Sequence, residues 1–361
     1  MALIIEKFRP PLFHKHNFDL QDLNQLFNKS LQYAAMGRYA LYHILKSLNI
    51  KGKILIPAYI CHTILWPLDV LNIEPVFYDV DPRDLNANID SIKELLQYHQ
   101  IQALLVASMY GNPADLPALE ALCAQYDIDL IDDAAQSFGA FLDDRPIGSY
   151  GQAGFFALSP GKPTAGHMGA FFWTVNEDYA IPRTSNAWAH FLTYLDFYFN
   201  RLYIYRTKSY KFFKALEIGK RCLQRFVDFR DDEIAPFEKN IIGGIINDCL
   251  TGNFSFRQYY MEQFCQEFSN NDFFRIIKAV RGKPHNHKLV LILSSCELVQ
   301  ELEKHLSENK IFFLKGYSLL TNQLDYLPNC RNIDGRIIEL PIENDDKKMR
   351  YLFKVLHKFR G

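Results

Sequence analysis

The chain of 361 residues predicts an α/β fold: a large, mostly parallel sheet flanked by helices, followed by a smaller C-terminal α/β unit. Two observations carry this. From about residue 53 to 133, short β-branched or apolar runs alternate with helical ones, the pattern of strands joined by crossover helices. From residue 178 to about 268 the pattern changes to long, aromatic-rich helical stretches, and a second, shorter alternation follows. With 48% apolar residues over this length, a sizeable core and a second, smaller one can both be filled.

Taken in order, residues 17–50 read as helices broken at Gly37, because apolar positions recur at helical spacing over 39–48. Strands follow at 53–57, 75–79, 103–108 and 129–132, with helices at 60–71, 88–98 and 116–126 between them. The late unit has strands near 288–293 and 336–340 and helices near 296–309 and 346–359. These runs divide the chain into a large domain (1–180), a helical connection and subunit-contact region (181–270), and a small domain (271–361). Ligands of such sheets bind beyond the carboxyl ends of the strands, where Pro57, Tyr110 and Asp133 fall.

Composition excludes several classes. Forty basic residues face 41 acidic ones and are spread along the chain, which argues against a nucleic-acid surface. The apolar run at Met1–Ile5 is too short for a secretory signal, and no run reaches the ~20 apolar residues of a membrane span. Seven scattered cysteines without a CxxC pair read as reduced thiols in a cytoplasmic protein, and no metal site is expected. Residues 188–213 are crowded with aromatics. With Arg201, Arg206, Lys208 and Lys211 beside them they fit a lipid-interface helix, but enrichment of aromatics at interfaces favours a buried subunit contact and argues against a membrane role.

The chemistry concentrates in Leu130-Ile131-Asp132-Asp133-Ala134-Ala135-Gln136-Ser137-Phe138-Gly139, followed 29 residues after Asp133 by Lys162 in Ser159-Pro160-Gly161-Lys162-Pro163. An apolar strand ending in a carboxylate, then one lysine framed by Gly and Pro, are the parts that hold pyridoxal 5'-phosphate. The amine forms the Schiff base, and the carboxylate pairs with the pyridinium nitrogen so that the ring acts as an electron sink. Two adjacent acids on an extended segment cannot both point inward. The phosphate needs a helix N-terminus with unspent N–H groups, and Gly37-Arg38-Tyr39 before a helix supplies one.

Six ordered matches make the chain resemble the DegT/DnrJ-type family of pyridoxal-phosphate-dependent sugar aminotransferases, of fold type I. They are Met36-Gly37-Arg38-Tyr39-Ala40-Leu41, Ile54-Leu55-Ile56-Pro57-Ala58-Tyr59, Pro75-Val76-Phe77-Tyr78-Asp79-Val80-Asp81-Pro82, Tyr110-Gly111-Asn112-Pro113-Ala114-Asp115, the Asp-Ala-Ala-Gln to Lys162 stretch, and Leu327-Pro328 with Ile338-Glu339-Leu340-Pro341-Ile342. The resemblance implies a Schiff-base and proton-shuttling role for Lys162. It selects Asp133 over Asp132 for the pyridinium and places Gln136 at the phenolic oxygen of the ring. It implies further an amino donor, glutamate, a keto-sugar acceptor, nucleotide-linked, a place in glycan or polysaccharide biosynthesis, and a homodimer with shared active sites.

Departures from the family pattern are equally specific. Arg38 stands where the family has Thr, and Ala157 where it has a phosphate-binding Ser; Arg38 or Ser159 would compensate. Cys61 holds the place of the aromatic that stacks on the ring, with His62 or Tyr59 as substitutes. Tyr317 resembles the family's substrate-side Tyr, but Gly316 and Leu320 replace the flanking histidines. His167 and Tyr110 complete the candidate substrate contacts. A cysteine-desulfurase-like lyase is disfavoured because Gly161 stands where a His would precede the lysine, and a sugar dehydratase because Lys162 is not His. A catalytically inactive binding protein on the same fold would have no physical reason to hold Asp133, Gln136 and Lys162 together.

Overall fold

The computed structural model describes residues 19–159, 161–164, 168–194, 229–235, 238–251 and 254–359. Among them seven strands form the main sheet. These are β1 (Gln32–Ala34), β2 (Lys53–Pro57), β3 (Glu74–Tyr78), β4 (Ile101–Ala107), β5 (Asp129–Asp133), β8 (Ala153–Ala157) and β9 (Ala170–Thr174), while β6 (Phe141–Leu142) and β7 (Arg145–Pro146) pair as a separate hairpin. Their order is β1-β9-β8-β5-β4-β2-β3. The five from β8 to β3 run parallel, while β9 is antiparallel to both β8 and β1. Helices α2 (Gly37–Ser47), α3 (Leu65–Leu71), α4 (Ile89–Tyr98) and α5 (Leu116–Tyr126) are the crossovers and covers. Burial on both faces explains why the central strands read as continuous apolar runs instead of alternating: every residue of β8 is buried.

Local chemistry sets the element ends. Asn88 caps α4 by accepting the Asp90 and Ser91 N–H groups at 3.0 and 3.2 Å. The helix Pro328–Ile333 has no cap of its own. Its first N–H groups, from Asn329 and Cys330, donate to the buried Asp79 carboxylate at 2.9 and 2.8 Å, tying the end of the chain to the end of β3. The sequence reads as helices over 17–50 with one break, at Gly37. Instead helix α1 (Leu20–Phe27) ends at Asn28 in the left-handed region, φ 50°, and β1 intervenes before α2. Three residues carry no periodicity; β1 exists because β9 offers it an edge. The helix expected at 60–71 begins as a 3-10 turn at His62–Ile64.

The C-terminal sheet is antiparallel, β10 (Phe274–Ile277), β11 (Lys288–Leu293), β13 (Ile337–Pro341) and β12 (Leu314–Lys315), in that order. It packs with helices Phe254–Glu267, Cys296–Glu308 and Asp346–His357 around Phe264, Leu302 and Leu352, each fully buried. Of the aromatic run at 188–213, residues 195–213 lie outside the described residues. In the described part, Trp188 is exposed and Tyr194 buried. Among the described residues no helix is long and apolar enough to cross a membrane, and no disulfide joins the described cysteines.

One buried polar cluster fastens this region. His190 bridges Glu238 Oε2 at 2.8 Å and Asp232 Oδ2 at 3.1 Å, and Asp232 Oδ1 accepts from Thr184 and Asn186. Burial opposes a charge on His190, but the two carboxylates win and push its pKa up to about 9. A histidine raised above its unfolded value near 6.5 contributes stability that is complete below that value and lost as pH rises through 9. We therefore expect the melting temperature of His190→Gln to fall below that of the unsubstituted protein at pH 6, with the gap closing between pH 7 and 9.5 in paired thermal melts. A gap constant over that range would mean that the imidazole is neutral in the fold.

Candidate active site

Four of the parallel strands end at one cavity of about 440 Å³. β2 delivers Ile60, Cys61 and Thr63; β4 delivers Ser108 and Met109; β5 delivers Asp133, Ala135 and Gln136; β8 delivers Ser159, Gly161 and Lys162. Gly37 and Arg38 at the head of α2 close one side, and Lys288, Lys315, Tyr317 and Glu339 of the C-terminal unit close another.

The strand period separates the two adjacent acids. Asp132 turns away from the cavity: its Oδ2 accepts the Gly148 and Tyr150 N–H groups at 2.6 and 3.2 Å, and burial lifts its pKa to about 7. Asp133 lines the cavity, with Oδ1 accepting the Ala135 N–H at 2.8 Å. Burial raises Asp133 to about 6, against the Lys162 ammonium and the Ala135 bond, which lower it. Lys162 sits on a turn closed by its own N–H donating to the Ser159 carbonyl at 3.1 Å. Gly161 holds φ +86° inside that turn, a conformation that a side chain would resist. Burial lowers the Lys162 amine from its ordinary value; Asp133, Cys61 and Glu339 oppose this and Lys288 adds to it. The result is an amine with an increased fraction of free base, facing a carboxylate.

At the head of α2, Met36 provides no side-chain cap. The Tyr39 N–H is taken by the Met36 carbonyl at 3.0 Å, so Tyr39 does not offer the backbone donor expected of it; those of Gly37 and Arg38 remain. The Arg38 guanidinium lies over the Tyr39 ring at 5.0 Å and donates to its hydroxyl at 3.4 Å. No carboxylate pairs with it among the described residues, and its Nε is buried without a partner. A Cβ on Gly37 would come within 3.2 Å of the Ala157 Cβ, so small residues at both positions keep this wall open.

Other candidates fall differently. Cys61 lines the cavity, its Sγ 3.2 Å from Thr63 Oγ1. His62 is exposed and outside the cavity, because the 3-10 turn swings it outward. Tyr59 and Tyr110 do not line the cavity either: they are buried behind its wall, hydroxyl to hydroxyl at 2.5 Å. Tyr317 does line it, and accepts the Gln136 Nε2 at 3.0 Å, while Gln136 Oε1 is buried without a partner. His167 lies outside the described residues.

Sequence reasoning missed the ion pair between Lys288 Nζ and Glu339 Oε2 at 2.6 Å, each residue only 4% exposed. The signal was a lone acid within the apolar run Ile337–Ile342. Glu339 Oε1 also accepts the Tyr110 hydroxyl at 3.0 Å. Gly316, in the place of a family histidine, has its reason here. A Cβ there would lie 2.5 Å from the Tyr59 hydroxyl and 2.7 Å from Ile337 Cβ.

Residues 35–182 match the DegT/DnrJ/EryC1/StrS aminotransferase family. The chain is similar to that family over this segment. Among curated relatives, it is similar to the UDP-N-acetyl-3-dehydro-alpha-D-glucosamine 3-aminotransferase of Acidithiobacillus ferrooxidans, 30% identical over 36% of this chain and 35% of the relative. A UDP-2-acetamido-2-deoxy-3-oxo-D-glucuronate aminotransferase of Pseudomonas aeruginosa is 32% identical over 24% of this chain and 28% of the relative. A GDP-4-keto-6-deoxy-D-mannose 3-dehydratase of Yersinia pseudotuberculosis is 30% identical over 29% and 26%. The matched stretches thus span about a third of these relatives' length or less. Over nearly the whole chain the fold is that of S. venezuelae DesV in complex with a ketimine intermediate, TM-score 0.72 at 16% identity, covering 97% of this chain and 89% of that one. A DegT DnrJ EryC1 StrS aminotransferase from Brucella abortus gives 0.71 at 16%, covering 94% and 89%. The α/β fold is therefore the one that these two solved structures share.

Crowding at Gly316 gives a direct check. Gly316→Ala should destabilise the protein by roughly 1–3 kcal/mol through overpacking, read as a lower urea midpoint at unchanged slope. An unshifted midpoint would mean that Tyr59 and Ile337 yield without cost.

Proposed function

We propose that this protein is a pyridoxal-phosphate-dependent aminotransferase acting on a keto-sugar, nucleotide-linked, with glutamate as the amino donor. We further place it in the cytoplasm, in glycan or polysaccharide assembly, as a homodimer with shared sites. The observation that carries the reading is a buried carboxylate, Asp133, and a buried amine, Lys162, in one cavity that the Arg38 guanidinium also lines, with no carboxylate on Arg38 among the described residues.

The residues fit the cofactor. The Gly37 and Arg38 N–H groups, with the orphaned Arg38 Nε, make an anion site of charge and donors suited to a phosphate. Asp133 suits a protonated ring nitrogen: a cation there would stabilise its charge and bring its pKa back down. Gln136 keeps one buried amide position unsatisfied on the cavity wall, available to the ring's oxygen. When bound, pyridoxal phosphate supplies the electron sink for a carbanion at the substrate carbon. The chain supplies the rest. Lys162 Nζ would hold the cofactor, and its amine would take and return the proton at the substrate carbon. Burial lowers its pKa and so favours the base form needed for that. Asp133 holds the charge opposite, and Ile60, Ile64 and Met109 give the cavity apolar lining.

Dehydratases are among the relatives, but by family resemblance they replace the lysine with His, and Lys162 favours amino transfer. The alternative of an inactive binding protein is disfavoured by the Asp133–Lys162 pair.

Purified protein titrated with pyridoxal phosphate should develop an absorbance band between about 350 and 450 nm that borohydride fixes on the wild type and not on Lys162→Ala. Glutamate should bleach that band, and sugar turnover should then be sought with keto-sugar nucleotides. The neighbouring acids separate the readings further. Asp133→Asn should lower transamination by at least ~100-fold, the scale of losing a fixed charge partner at a reacting group, whereas Asp132→Asn should leave the band and rate within a few-fold. Equal losses, or no band in the wild type, would defeat the assignment.

A further inference from the structure

We propose that Glu339 is the positioning residue of this cavity: through the hydroxyls of Tyr110 and Tyr59 it fixes Tyr317 against Gln136, with Lys288 as its counter-ion. The inference rests on the reading of the cavity as a pyridoxal-phosphate site and adds to it the buried Lys288–Glu339 pair.

The polarity of the hydrogen bonds makes the argument. An ionised carboxylate only accepts, so at 3.0 Å the Tyr110 hydroxyl donates to Glu339 Oε1. Its proton spent, Tyr110 accepts from the Tyr59 hydroxyl at 2.5 Å. Tyr59 in turn accepts the Tyr317 main-chain N–H at 3.2 Å. The charge of Glu339 thus sets every link in one direction, and Lys288 at 2.6 Å keeps that charge in place in a buried setting. At the far end the Tyr317 hydroxyl accepts from Gln136 Nε2 at 3.0 Å, which leaves its own O–H hydrogen to donate to whatever fills the cavity. The relay joins the two sheets, from β13 and β11 to the loops after β4 and β2.

Two features suit a positioning role better than a merely structural one. A buried ion pair is seldom more stabilising than a well-packed apolar pair of the same volume, yet this pair lines the cavity. Tyr110 holds a left-handed conformation, φ 59° and ψ 21°, costly for a bulky residue and retained where the surroundings over-determine it. Here Asn86 does so, accepting the Met109 N–H at 2.8 Å and donating to the Asn112 and Pro113 carbonyls at 3.2 Å.

The test uses the full chain loaded with pyridoxal phosphate. Tyr110→Phe removes one oxygen and leaves the Lys288–Glu339 pair intact; Glu339→Gln and Tyr317→Phe are made beside it. The readouts are the pH midpoint of the visible band, the dissociation constant for pyridoxal phosphate, and the thermal melt without cofactor. We expect Tyr110→Phe and Glu339→Gln to move the midpoint by ~0.5–1 pH unit in the same direction as Tyr317→Phe. The Tyr110→Phe/Tyr317→Phe double variant should move it no further than the larger single change, since Tyr110→Phe acts through the placing of the Tyr317 hydroxyl that Tyr317→Phe removes. Variants that melt at lower temperature but keep the wild-type midpoint and dissociation constant would overturn the proposal and leave a structural ion pair. Failure of the wild type itself to form the band would instead sink the cofactor reading, and this inference with it.

Discussion

A carboxylate and an amine face each other at the ends of two adjacent parallel strands, and the site depends on that juxtaposition. Asp133 pairs in register with Phe155 of β8, so the loops leaving β5 and β8 emerge side by side and Lys162 is carried back toward Asp133. Burial alone would discharge both groups, raising the acid and lowering the base. Their mutual attraction opposes this for each, leaving an acid raised to about 6 and an amine lowered from its ordinary value in one cavity.

The rest of the fold secures that arrangement. Asp132, one residue earlier, holds the 148–150 turn from the other side of the strand, which keeps β5 from rotating and keeps its neighbour pointed inward. Asp79 caps a helix 250 residues further along the chain, and Lys288 and Glu339 of the second sheet complete the cavity wall. A site assembled from both sheets is sensitive to their mutual placement, and buried polar links, whose geometry is stricter than that of apolar contacts, hold that placement.

Departures from the family pattern make physical sense as a set. Gly316 removes a side chain from the space that the Tyr59 hydroxyl occupies; Tyr59 is thereby able to meet Tyr110, and Tyr110 finds an acceptor in Glu339. Near the head of α2, Ala157 sits against Gly37, while Arg38 brings a charge to the rim. Both regions lose a family side chain and gain a group from another segment.

The sequence by itself determined what depends on neighbours in the chain. The boundaries of β2, α5 and β11, the opposite facing of Asp132 and Asp133, and the donors at Gly37 and Arg38 all follow from local period and residue type, while the family resemblance selects Asp133 as the inward acid. Tertiary structure decided what depends on partners far away. β1 forms because β9 offers it an edge, His62 leaves the site because a 3-10 turn precedes α3, and Tyr59 and Tyr110 retreat behind the wall because Glu339 arrives from a strand more than two hundred residues on. A charged residue inside an apolar strand announces in the sequence that a partner exists. Which partner it is depends on how two sheets meet, and no local pattern encodes that.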